Sequence, residues 1–222
     1  MNTKKYSNNV YGDPNGVKRW DLINYLIEQN NFLNYLEIGV NDGLCIRKII
    51  AEHKDGVDPF PGSELGGLEV PEINYPISSD DFFEFIKNHN IKYDVIFIDG
   101  LHHSTQVDKD IQNSLNHLVD NGFIILHDCN PPEYLNQVVP RISGTWNGDV
   151  WKSVVKLRHT EPNLVINVVD TDWGVGIVQL GKQELYDKES LDQCLDYHYF
   201  DNNREELLNI ISVDEFYNKY KK

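Results

Sequence analysis

Near the middle of the chain, side chains able to move protons and hold cations recur at short spacing. His102 stands three residues after Asp99, and Asp128 follows with His127 before it and Asn130 two positions on. An imidazole titrates near neutrality and suits a general base. An alcohol is a poor acid at neutral pH, so transfer of a group to a hydroxyl wants a base, a metal or both. His102 is the expected base, and His103 its fallback or an acceptor contact. Asp99 and Asp128 end what read as adjacent strands. Two such carboxylates can share a hard divalent cation such as Mg2+, with Asn130 as a further candidate ligand. The plainer alternatives are that His102 caps a helix starting near Ser104 and that Asp128 only hydrogen-bonds to its neighbours.

A second constellation is the turn Glu37-Ile38-Gly39-Val40-Asn41-Asp42-Gly43. Gly39 and Gly43 let backbone pass close to a ligand. Asp58 follows Glu37 by 21 residues, the separation at which an acid can meet a ribose hydroxyl. The dinucleotide pattern G-x-G-x-x-G is broken, because position 41 is Asn and the third glycine is missing. Glu37 and Asp42 put negative charge where a pyrophosphate would lie, and that charge suits a sulfonium and an amino group better. For the acceptor, Trp146, Trp151 and Trp173 offer indole faces that pack against sugar C–H surfaces. Arg141 can meet an anionic group. A Trp packed inward and a solvated Arg are the plain readings of the same residues.

These residues need a frame. Apolar periodicity predicts a helix over 17–30, a strand over 32–38, a helix over 43–53 behind Asn41-Asp42, and a short strand ending at 56–58. A loop over 59–71 and a third strand over 73–77 follow. Ser78-Ser79-Asp80 is expected to cap a helix over 82–89. Strands over 93–98, 122–126, 164–169 and 175–180 alternate with helices over 104–121 and 150–159. This alternation predicts an α/β fold: a doubly wound, mostly parallel seven-stranded sheet with helices on both faces. Ligands bind such sheets beyond the carboxyl ends of the strands, where all the acids and imidazoles above fall. Residues 1–181 read as one domain, with 1–31 a helical cap and 182–222 a helical extension packed on it.

The bulk numbers narrow the choice. The 222 residues carry a net charge of -15, which repels phosphate backbones and argues against nucleic acid as a partner. No apolar run is long enough to cross a bilayer. Residues 1–16 are polar, so a cytoplasmic location is the expectation. Cys45, Cys129 and Cys194 are far apart and form no C-x-x-C pair. The expected partner is a small molecule, to which the resemblance described next adds a glycan acceptor, with a homo-oligomer open.

The run from Tyr35 to Leu180 resembles the class I S-adenosylmethionine-dependent methyltransferases. The likeness is carried by Tyr93-Asp94-Val95-Ile96-Phe97-Ile98-Asp99-Gly100-Leu101-His102-His103 and by Gly122-Phe123-Ile124-Ile125-Leu126-His127-Asp128-Cys129-Asn130. Trp146-Asn147-Gly148-Asp149-Val150-Trp151-Lys152 and Asp170-Thr171-Asp172-Trp173-Gly174-Val175-Gly176 add to it. Within that family it is similar to sugar and glycan O-methyltransferases with D-G-x-H and H-D elements. The resemblance implies that Glu37, Gly39, Asn41 and Gly43 line the methionine half of S-adenosylmethionine. Asp58 would hold the ribose, Ser79 and Asp80 would lie near the adenine, and Asp99 beside the methyl group. It implies a base at His102. The metal-dependent relatives use Asp and then Asp-Asn, whereas this chain has Asp128-Cys129, and a thiol is a poor ligand for Mg2+.

Overall fold

A computed structural model describes residues 16–60, 70–142 and 144–222. The start of the expected N-terminal cap (1–15) and most of the expected 59–71 loop lie outside the described residues.

In chain order the elements are α1 (Arg19–Asn30), β1 (Asn34–Ile38), α2 (Leu44–Lys48), β2 (His53–Val57), α3 (Ser79–Ile86), β3 (Tyr93–Ile98), α4 (Ser104–His117) and β4 (Leu118–Leu126). Then come α5 (Tyr134–Gln137), α6 (Trp151–Thr160), β5 (Leu164–Val169), β6 (Val175–Leu180), α7 (Leu191–Cys194), α8 (Tyr197–Leu207), β7 (Ile210–Ile211) and α9 (Val213–Tyr220). The seven strands form one sheet in the order β2-β1-β3-β4-β6-β5-β7. All neighbours are parallel except β6, which runs antiparallel to both β4 and β5.

Strand side chains alternate between two apolar layers. Leu36, Ile96 and Ile124 join the layer completed by α3, α4, α6 and α8. Tyr35, Phe97 and Ile125 join the layer completed by α1, α2 and α9. β3 is apolar on both faces because both are covered, as its V-I-F-I run predicts.

Several elements depart from the sequence expectation. The strand expected over 73–77 is reduced to one parallel bridge, Val57 to Tyr75. The seventh strand is instead β7, which the tail adds beside β5. The helix expected to reach residue 53 stops at Lys48, where Ile49 turns extended. The Lys54 ammonium donates to the carbonyls of Ile46 (2.9 Å) and Ile49 (3.1 Å) and satisfies that end. α4 ends at His117 because Leu118 is already paired with Tyr93. Ser78 caps α3 as expected, accepting from the Asp81 amide at 3.1 Å.

The tail shares the core of the rest of the chain. Phe200, Leu207 and Leu208 bury in one layer and Phe216 in the other. No helix of the described residues is long and apolar enough to cross a membrane. The three cysteines are free and buried.

Candidate active site

The parallel strands β1, β2, β3 and β4 present their carboxyl ends to one cavity of about 570 Å3. After β1 the chain passes through left-handed backbone at Gly39 (φ +87°), Asn41 (φ +48°) and Gly43 (φ +78°). A Cβ on Gly39 would sit 2.2 Å from the Asp99 carbonyl oxygen, so only glycine lets this turn cross the end of β3. That crossing brings Glu37 and Asp99 into one wall. Asp58, just beyond β2, accepts from the amides of Asn41 and Phe60, both at 2.8 Å. The carboxylate is thereby fixed with lone pairs to spare for a hydroxyl.

Beyond β3 and β4 lies a cluster of acids and imidazoles. His102 Nε2 is 3.2 Å from Asp99 Oδ1, and His102 Nδ1 is 3.3 Å from Asp128 Oδ2. His127 Nδ1 meets the same two oxygens at 3.2 and 3.3 Å. On its far side, His127 Nε2 is 3.6 Å from Asp172 Oδ2. Arg19, at the start of α1, donates to that oxygen at 3.0 Å through Nη1. Asp128 itself has φ +60°, rare for a residue with a side chain, and takes a 2.6 Å hydrogen bond from the buried Asn147 amide.

The charges follow from this geometry. Burial alone would raise Asp99, but the His127 charge, hydrogen bonds from both imidazoles and the Arg19 charge hold it well below the usual carboxylate range. Burial works against protonation of His102, yet the hydrogen bond to Asp99 and the charges of Asp128 and Asp99 raise it. His127 is raised well above the ordinary imidazole value in the same way, against its burial. Burial pushes Glu37 up to about 8, although its Oε2 accepts a 2.5 Å bond from the Tyr35 hydroxyl.

Of the residues expected from sequence, Glu37, Gly39, Asn41, Asp58, Ser79, Asp80, Asp99, His102, Asp128, Arg141 and Trp146 line this cavity. Gly43, His103, Asn130, Trp151 and Trp173 do not. Gly43 is the residue before α2, where its positive φ starts the helix. His103 directly precedes α4, with its ring edge-on to Trp146. Asn130 is fully buried, and its side-chain oxygen accepts from Arg204 at 2.6 Å. Trp151 is fully buried and stacks on Phe200 at 4.0 Å. Trp173 helps form the turn before β6, where its carbonyl accepts from the Asn130 amide.

Trp146 remains at the acceptor end, stacked on His102 with ring centres 5.3 Å apart. Its indole nitrogen donates to the Val138 carbonyl at 2.7 Å. Sequence reasoning placed His127 at the site without giving it a central part. It gave no site role to Arg19, Asp172, Gln106 or Asp110, and took Asn147 only as a polar group able to bind acceptor hydroxyls, where the structure has it holding Asp128. Arg19 carries no sequence signal, because it opens an ordinary surface-type helix. Asp110 sits on α4 with burial pushing it up to about 6, and only the packing of α4 on α3 turns it inward.

Two carboxylates and an imidazole make a donor set suited to a divalent cation. Asp99, His102 and Asp128 each offer one atom within 4.8 Å of the others. Cys129, in the position the resemblance gives to Asn, is fully buried with its thiol turned to the Leu126 and His127 carbonyls. Burial pushes that thiol up, so it stays protonated and outside any such set.

Residues 36–129 match a family model described as a methyltransferase domain. No curated protein matches the sequence. Among solved structures, the chain is similar to a proposed caffeoyl-CoA O-methyltransferase from Staphylococcus aureus, at 22% identity and a TM-score of 0.53, covering 74% of this chain and 85% of that one. It is also similar to a Podospora anserina methyltransferase bound to S-adenosylhomocysteine, at 14% identity and a TM-score of 0.52, over 73% of this chain and 78% of that one. A Bacillus cereus O-methyltransferase in complex with S-adenosylhomocysteine gives 14% identity and a TM-score of 0.52, over 72% and 80%. The chain therefore has the fold of the class I S-adenosylmethionine-dependent methyltransferases, with the methyltransferase-domain match spanning the strands that build its cavity.

Proposed function

We propose that this protein is an S-adenosylmethionine-dependent O-methyltransferase acting on a hydroxyl of a small molecule, and that the hydroxyl belongs to a sugar. The observation that carries this reading is the placement of Asp99, His102 and Asp128 in the same cavity as Glu37 and Asp58. The first group answers the need of an acceptor oxygen, the second the needs of a donor's amino group and ribose. The cavity volume, about 570 Å3, suits a ligand of that size.

S-adenosylmethionine supplies a methyl group on a sulfonium, which is already a strong electrophile. The protein's task is to align the acceptor oxygen and take its proton. His102 takes the proton as its neutral ring becomes an imidazolium, and Asp99, 3.2 Å from Nε2, orients the ring. Asp128, 3.3 Å from Nδ1, then stabilises the imidazolium. Trp146, stacked on the ring, fixes its plane and keeps water from that face. Leu101 and Trp146 give the acceptor end apolar walls beside the polar His102 and Arg141, a mixture suited to a hydroxyl-bearing ring.

Asp99 and Asp128 would hold a divalent cation, whose chemistry is to bind the acceptor oxygen and lower its pKa. The test is transfer from labelled S-adenosylmethionine to a panel of sugar, phenol and amine acceptors, with His102→Ala and EDTA as controls. Turnover on a sugar hydroxyl, lost in His102→Ala, is expected. Full turnover in His102→Ala would remove the base, and indifference to EDTA the metal. Preference for phenols or amines would replace the sugar. Tight donor binding without turnover on any acceptor would make the chain a binding module.

A further inference from the structure

We propose that Arg19 binds the amino-acid carboxylate of the methyl donor, and so that α1 closes the methionine end of the cavity. This rests on the donor assignment above. S-adenosylmethionine ends in both an ammonium and a carboxylate. The wall formed by Glu37, Asp42 and Asp99 offers oxygen acceptors to the ammonium, and the Asp42 and Asp99 carboxylates repel the donor's carboxylate. Setting imidazoles aside, the cations that line the cavity among the described residues are Arg19 and Arg141. Arg141 lies over Trp146, 6.0 Å from its ring centre, at the acceptor end. Arg19 lies within electrostatic reach of Glu37, Cys45 and Asp99, at the other end. Among the described residues, Arg19 is therefore the guanidinium placed to meet the carboxylate.

The guanidinium is held ready for such a contact. Asp172 accepts from both the Arg19 backbone amide (3.1 Å) and Nη1 (3.0 Å), which fixes the side chain in the wall. Nε is buried and has no hydrogen-bond partner. Asp99 Oδ2 is 3.8 Å from it, too far for a hydrogen bond, while both imidazoles meet the other oxygen, Oδ1. A buried N–H in a cavity wall is costly unless a ligand completes it. A planar carboxylate fits the edge of a guanidinium, which offers donors that an ammonium cannot arrange side by side.

The experiment compares three ligands by calorimetry on wild type, Arg19→Gln and Arg19→Lys. S-adenosylhomocysteine carries both the ammonium and the carboxylate. Its decarboxylated analogue keeps only the ammonium, and 5′-methylthioadenosine has neither. Wild type should bind S-adenosylhomocysteine about tenfold or more tighter than the decarboxylated analogue. In Arg19→Gln that advantage should vanish while methylthioadenosine binds as before; Arg19→Lys should recover part of it. Equal wild-type affinity for the first two ligands overturns the proposal, and this arm needs no variant to fold. An advantage that survives Arg19→Gln also overturns it. A wild type that binds none of the three fails on the donor assignment itself and takes this proposal with it.

Discussion

The turns that follow β1 and β4 both reach into the cavity, yet they are held by opposite means. After β1 the positive-φ positions include Gly39 and Gly43, for which such backbone carries no steric penalty. The nearest support is also short-range in sequence: the Asn41 amide donates to Asp58, 17 residues on. After β4, Asp128 adopts a positive φ with a side chain attached. Its support comes from far along the chain. Asn147 holds the carboxylate at 2.6 Å, and the amides of Cys129 and Asn130 donate to the Gly174 and Trp173 carbonyls. Arg204, buried in the tail, donates to Asn130 Oδ1 (2.6 Å) and the Pro131 carbonyl (2.8 Å). The difference teaches that the β1 turn is shaped largely by local chain chemistry, whereas the β4 turn at the proposed catalytic end exists only after the sheet, the 145–150 segment and the tail have docked.

That contrast can be broken by substitution. The largest effect is expected at His102: His102→Ala should lower turnover about 10²- to 10⁴-fold and leave S-adenosylhomocysteine affinity unchanged. Loss of affinity instead would place His102 in the donor site. Next, Arg204→Met removes buried charge-assisted hydrogen bonds and should cost about 2–4 kcal/mol in urea unfolding. Turnover in the folded fraction should also fall. Full turnover at normal stability would show that the tail does not hold the Asp128 turn.

Gly39→Ala brings a Cβ to 2.2 Å from backbone and should cost roughly 1–3 kcal/mol with weakened donor binding. Asp58→Asn keeps the turn but alters its pairing with ribose; about tenfold weaker S-adenosylhomocysteine binding is expected, with kcat at saturation kept. The smallest effect is on pH. His102 is raised above 6.5, so its basic form, and the rising limb of kcat, should appear at higher pH than for a free imidazole. Asp128→Asn removes a charge that raises it, so in that variant the limb should move down. A limb that stays put would separate Asp128 from the base.

Much of this molecule was legible before folding was considered. The V-I-F-I run announced a strand covered on both faces, and β5 and β6 were read to the residue, because buried strands leave continuous apolar runs. The Glu37–Gly43 turn was legible because Gly39 and Gly43 mark two of its positive-φ positions. Residues 73–77 misled because their apolar content reflects packing on α3, where Tyr75 stacks edge-on to Phe82, more than pairing in the sheet. β7 escaped because two residues carry no period.

By itself the sequence determined which residues end the parallel strands, and so which acids and imidazoles could share a crevice. Only the tertiary structure decided which of them face one another. It turned Asn130 toward Arg204 and Trp151 toward Phe200, and it brought Arg19, Asn147 and Asp172 in from distant segments. The physical reason is range. Backbone conformation and apolar period act over a few residues, whereas the partner of a buried charge is chosen by whichever segment packs beside it.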